Sequence, residues 1–245
     1  MSEMKRGFEP RSAFSIVAAL AVTATITAVI AAPGGVDAAP NPLRSKSAEH
    51  TASIAPDGSY SVRMDTKLEL ALETTWGFGG DIHDGFRLPG SESLLPPYLR
   101  AHYSNPQGTI DSAPAEATID KELHSVDIGF STDRLTAGTH RGVLDYEVAG
   151  AAVPAADVNG DQDDGVIVYV RPLDRGDLVI ESAAPITAVD CEVFSPRGES
   201  CGEKKGDYSW TVPGEELLRD HAVIDAVRIT IDTDPKGVPA PDIDS

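Results

Sequence analysis

The chain has 245 residues and a formal net charge of −19, with 39 acidic side chains against 20 basic ones. So acidic a surface repels phosphate backbones and anionic headgroups, which excludes nucleic acid as a partner and suits cations or basic surfaces. Spread along the whole chain, the same excess also serves simply to keep a surface soluble and self-repelling.

Lys5, Arg6 and Arg11 precede an apolar run from Ala13 to Ala32, and Val36-Asp37-Ala38 stands just before Ala39-Pro40. A positive start, an apolar middle and a small-x-small site are the layout of an export signal. Cleavage after Ala38 releases the remainder as a secreted domain. Left uncut, residues 13–32 span about 30 Å at 1.5 Å per residue, enough to anchor the chain in a bilayer. With no cysteine near the site, a lipid-modified mature N-terminus is excluded. The expected segments are a signal peptide or anchor over 1–38, a polar flexible linker over 39–51, one β-sandwich domain over 52–233 and a disordered tail over 234–245.

From Tyr60 every second residue is mostly apolar: Tyr60, Val62, Met64, then Leu68, Leu70 and Leu72. Strand neighbours point to opposite faces, so this alternation predicts a long half-buried strand. Shorter alternating runs follow at Val126–Phe130 and Leu144–Val148. Val166–Val170 is continuously apolar, as a strand covered on both faces would be. Further runs lie at 178–180, 189–193, 208–212 and 227–231. Gly, Pro, Asp and Asn clusters separate them. The pattern predicts an all-β fold, an antiparallel β-sandwich of about eight strands with one short helix at Glu215–His221. The Pro- and Ser-rich stretch from Gly90 to Asp120 reads as a long irregular excursion, suited to a binding loop.

Cys191 and Cys201 are the two cysteines. An even count in an exported chain predicts a disulfide. Ser200 lies in Gly198-Glu199-Ser200-Cys201-Gly202, which matches the G-x-S-x-G nucleophile elbow. That elbow needs a strand before the serine and a helix after it, and the flanking sequence offers no helical stripe. Asp157, Asn159, Asp161, Asp163 and Asp164 resemble the start of a calcium loop, with hard oxygens at positions one, three and five. Gln162 stands where that loop wants Gly, and Val168 where it wants Glu. The alternative is an acidic hairpin loop. Asp81, His83 and Asp84 cluster after a glycine-rich run and offer a metal or acid–base set, or simply a polar loop. Trp76 and Phe78 beside them read as core caps, because aromatics are too sparse for a sugar platform.

Three segments carry a family resemblance. APDGSYSVRMDTKLELAL places a DGS turn before a long alternating strand. GDIHDGFRLPG gives a glycine-rich approach to a Gly-Phe-Arg-x-Pro step. SVDIGFSTDRLTAGTHRGVLDYEVAGA leads from Gly-Thr-His into a strand bearing Tyr146. Over about residues 49–232 the chain resembles domain of unknown function twenty-two-oh-seven, a family of predicted bacterial membrane proteins. The resemblance is to its extracytoplasmic N-terminal β-domain, without the transmembrane part. It implies an exported β-sandwich with the cysteine pair of actinobacterial members, and brings no catalytic residues.

Together these readings predict an exported, non-enzymatic envelope or secreted module. It binds another protein, as an accessory to a membrane complex. The alternatives are a calcium-dependent binding domain, with calcium its sole cofactor, and a cell-wall hydrolase. Contact with the membrane itself is expected only through residues 13–32.

Overall fold

The computed structural model describes residues 41–83, 101–122, 125–159, 164–173, 176–192, 199–219, 222–223 and 226–238. The export segment and its cleavage site lie outside them. Three long strands come first: β1 (Leu43–Ile54), β2 (Tyr60–Leu70) and β3 (Thr74–His83). They are followed by β4 (His102–Ile110), β5 (Ala113–Ala115), β6 (Thr118–Glu122), β7 (Ser125–Leu135), β8 (Gly138–Ala149) and β9 (Ala152–Pro154). A single helical turn, α1 (Ala155–Asn159), leads to β10 (Val166–Val170), β11 (Asp177–Ser182), β12 (Ile186–Glu192) and β13 (Glu199–Ser200). The remainder is β14 (Glu203–Gly206), β15 (Ser209–Val212), β16 (Leu218–Arg219), β17 (Ala222–Val223) and β18 (Ala226–Ile231).

The strands form an eight-stranded sheet in the order β14-β15-β11-β1-β2-β8-β4-β5 and a five-stranded sheet in the order β13-β12-β18-β10-β9. A three-stranded sheet, β3-β7-β6, and the small β16–β17 pair complete the set. The all-β, sandwich-like architecture matches the sequence reading. Inner residues of β2, β8 and β11, such as Met64, Leu144 and Ile180, share one core with Val168, Val189 and Ile229 of the five-stranded sheet. Each such side chain contributes about 1.5–3 kcal/mol through burial. β10 is buried on both faces as its apolar run requires, because Ile167 and Tyr169 pack outward against Val153, Ala155 and Ala226. The hydroxyl of Tyr60 donates a buried 3.1 Å hydrogen bond to the carbonyl of Tyr169, tying the two large sheets together.

Several expectations need correction. Most of the expected 39–51 linker is β1, central in the large sheet, antiparallel to β2 and parallel to β11. That parallel pair also makes the sheet mixed. β1 escapes a periodicity reading because its buried face is carried by His50, Ala52 and Ile54, two of which are polar or small. The expected excursion through Asp120 is β4, β5 and β6 from His102 onward. Pro106 of β4 is accommodated by a register shift between Ser104 and Gln107, and Asn105 takes a left-handed φ of 54° there. A bulge is where a strand tolerates proline.

The expected helix at Glu215–His221 is a turn followed by β16 in its described part. Glu216 instead accepts a 2.7 Å bond from the Gly202 amide, which holds this segment to the cysteine loop. The helix falls at α1, over the start of the expected calcium loop. The expected tail begins with a 3-10 turn, Pro235–Gly237, capped by Asp234, whose side chain accepts from the Lys236 amide at 3.0 Å. Aspartate before proline is a favourable start for such a turn.

Candidate functional site

The three-stranded sheet owes its shape to two Gly-Phe pairs, Gly77-Phe78 and Gly129-Phe130. β3 and β7 pair with Phe78 opposite Phe130, Gly79 opposite Gly129 and Gly77 opposite Ser131. The two rings stack on the inner face, with centroids 5.0 Å apart and planes 18° apart. They rest on glycines of the large sheet. A Cβ on Gly142 of β8 would run into the Phe78 ring, and one on Gly108 of β4 would lie 2.6 Å from the Phe130 ring. Glycine is therefore required at both seats for steric room. At the strand crossing, Gly79 has φ +129°, and a Cβ there would strike the Ile128 carbonyl.

Because the phenylalanines face inward, the positions beside them, Gly77, Gly79 and Gly129, leave the outer face there without side chains. Above Gly77, Gly79 and Gly129 lies an open cleft of about 400 Å³, rimmed by Thr118, Asp127 and Ser131. Among the described residues no lysine or arginine lines it. In lateral register, Thr118 of β6 stands beside Gly129, while positions 81, 127 and 120, all aspartate, form one row across β3, β7 and β6. Asp127 and Asp120 stand directly opposite one another, and like charges so placed are destabilising by themselves. The arrangement offers a glycine-lined floor with two hydroxyls and the Asp127 carboxylate at its rim.

The sequence candidates map as follows. Cys191 and Cys201 form the disulfide, with Cα atoms 5.7 Å apart. The Cys201 carbonyl accepts a 2.9 Å bond from the Trp210 indole. Ser200 lies exposed in β13 opposite Asp190 and is followed by β14, not by a helix, so the nucleophile-elbow geometry is absent there. Asp81 and His83 belong to β3, in register with Asp127 and Ser125 of β7. Asp84 lies outside the described residues. Phe78 is core, as expected, and Trp76 packs half-buried against the core. Asp157 and Asn159 belong to α1, Asp164 is exposed, and Asp161 and Asp163 lie outside the described residues.

A second polar cluster joins the β4–β5 turn to β8. His140 Nδ1 lies 2.7 Å from Asp111 Oδ2, and its Nε2 lies 2.9 Å from the Thr136 carbonyl. With an acceptor at each nitrogen, the doubly protonated ring is the form that both contacts favour. The Asp111 carboxylate, then the Thr136 carbonyl, raise its pKa above the ordinary value, against a smaller loss of hydration. At Asp111 partial burial acts upward. The Arg141 amide and His140 together outweigh it and hold the carboxyl below its usual range. Neither ring nitrogen is free to act as a base, so the pair is a structural clamp.

The sequence reading did not single out Asp127, Thr118, Ser131 or Gly77. The available signal was the repeated Gly-Phe step in TWGFGG and DIGFS, which places two glycines behind two rings once the strands pair.

No protein-family model matches the chain, and no curated protein matches it in sequence. Among solved structures it is similar to a proposed nutrient-binding protein from Legionella pneumophila, at 12% identity and a TM-score of 0.40, covering 76% of this chain and 66% of that one. It is also similar to leukotriene A4 hydrolase from Saccharomyces cerevisiae, at 10% identity and a TM-score of 0.41, covering 76% and 28%. An M1 zinc metallopeptidase from Deinococcus radiodurans aligns at 10% identity and a TM-score of 0.35, covering 77% and 42%. The chain thus spans at most 66% of these three proteins. At such scores the likeness carries no functional argument.

Proposed function

We propose that the chain is an exported, non-enzymatic envelope or secreted module whose task is to bind another protein, as an accessory to a membrane complex. The observation that carries this reading is the glycine-floored cleft on the outer face of β3-β7-β6. It presents a glycine floor and the Asp127 carboxylate to solvent. A disulfide-closed loop supports an oxidising, extracytoplasmic setting. The resemblance to domain of unknown function twenty-two-oh-seven supports the same setting, and residues 13–32, if uncut, supply the attachment. Among the described residues no helix is long and apolar enough to cross a membrane.

The test is a photo-reactive amino acid at Ser131, in the cleft, and at Ser61, exposed on the outer face of β2, in the producing cell. A protein adduct at Ser131 that is absent at Ser61, and that co-purifies in mild detergent with membrane proteins, is the expected result. Equal labelling at both positions, or none, overturns the reading.

A further inference from the structure

Exposed sheet edges invite strand addition, and chains normally blunt them with proline, charge or shortness. Here the edges of the large sheet are β14, with Glu203, Lys204 and Lys205, and β5, three residues long with Pro114 at its centre. The five-stranded sheet ends in the two-residue β13 and in β9, which closes on Pro154. β6 carries Asp120, Lys121 and Glu122, and β16 and β17 have two residues each. β3 differs. It runs for 10 residues, and Thr74–Gly80 contains neither a charge nor a proline. Among the described residues β7 is its sole strand partner, and no backbone bond outside that ladder reaches 76–80.

We infer that β3 is the acceptor edge for an extended, basic segment of the partner, which adds to the sheet as a further strand and lays alternate arginine or lysine side chains across the cleft toward Asp127. The inference rests on the protein-binding reading and specifies its mode. A strand added about 4.8 Å beyond β3 places every second residue beside Gly77, Gly79 and position 81, at a spacing of about 6.8 Å. Large side chains on a neighbouring strand cover edge glycines well. The room above the glycines holds such a stem, and Asp127, with Asp120 opposite it on β6, gives a cationic tip its counter-charge. Main-chain pairing supplies affinity, and the alternate side chains supply selectivity. The overall charge of −19 favours a basic segment over an acidic one.

Fluorescein-labelled peptides of about twelve residues, alternating threonine with arginine, test this on the full chain by anisotropy. Two controls alternate threonine with glutamate, or carry N-methyl groups on alternate amides of the arginine peptide. The arginine peptide is expected to bind, the methylated one at least about tenfold more weakly, and the glutamate one not at all. Binding should slow hydrogen exchange at Trp76–Gly80.

Gly77→Lys should weaken binding about tenfold or more. A Cβ at Gly77 meets nothing within 4 Å, so the variant keeps the fold, which an unchanged melting temperature verifies. Asp127→Asn should weaken binding by about threefold to tenfold. Equal binding of the methylated peptide, exchange protection elsewhere, or no binding by any peptide overturns the inference. A cleft-specific adduct at Ser131 with no peptide binding removes the β3 mode alone. Loss of both removes the protein-binding reading as well.

Discussion

Asp111 and His140, 29 positions apart in sequence, meet at 2.7 Å and join the β4–β5 turn to the start of β8. The turn is strained, because Asp111 and Ser112 both hold left-handed φ angles, 46° and 72°. Asp111 also accepts a 2.9 Å bond from the Arg141 amide. One carboxylate therefore holds both the histidine ring and the backbone of the facing strand.

The clamp makes stability pH-dependent. His140 has a folded-state pKa above its ordinary 6.5, so its contribution is complete below pH 6.5 and is lost as pH rises through the higher folded value. Asp111 has a lowered pKa, so its contribution is present above 3.8 and is lost as pH falls through its folded value. Asp111 is half exposed, and solvent screening limits the pair to about 0.5 kcal/mol. Urea midpoints measured from pH 5 to 9 should fall across the histidine window. In His140→Gln that step should vanish, and a step of unchanged size there would refute the assignment.

Gly142 is the seat of the Phe78 ring. Gly142→Ala puts a methyl into that ring and should cost about 1–3 kcal/mol through overpacking. The displaced ring would tilt β3 against β7, so the same variant should lose peptide binding. Chemical denaturation and anisotropy measure the two effects, and a variant as stable as the parent would sink the steric argument.

Removing the disulfide as Cys191→Ser with Cys201→Ser should destabilise the fold by about 3 kcal/mol in the chain-entropy model, for a separation of 10 residues. Because Gly202 and Trp210 hang on the same loop, exchange should quicken first around Cys201 and Glu216. Uniform quickening across all sheets would instead mark a global effect.

Tyr60→Phe deletes the hydroxyl that bridges the two large sheets and nothing else. A buried hydrogen bond of this kind is worth about 1–1.5 kcal/mol. Thermal unfolding should show that loss without any change in peptide binding, since Tyr60 lies away from the cleft residues.

Calcium is decided by a thermal shift. If Asp157, Asn159, Asp161, Asp163 and Asp164 hold the ion, added Ca²⁺ raises the melting temperature and Asp161→Ala abolishes the rise. No shift in the parent chain removes calcium from the account.

The sequence by itself determined the all-β class, the cysteine pairing and the strands whose inner face is made of large apolar groups. β2 and β10 were legible because alternation in one and continuity in the other report directly how many faces are buried. β1, β4 and β6 were not. Their residues are small, polar or proline-containing, and they become strands because neighbours already in place offer backbone partners.

The cleft was equally out of reach of the sequence. Gly77, Gly79, Gly129 and Asp127 form a surface only after β3 and β7 pair in one register. Gly108 and Gly142, distant in the chain, decide where the rings of that pair can sit. Local pattern fixes which way a side chain points. Long-range packing decides which strands become sheet edges, and among the described residues β3 is one of them.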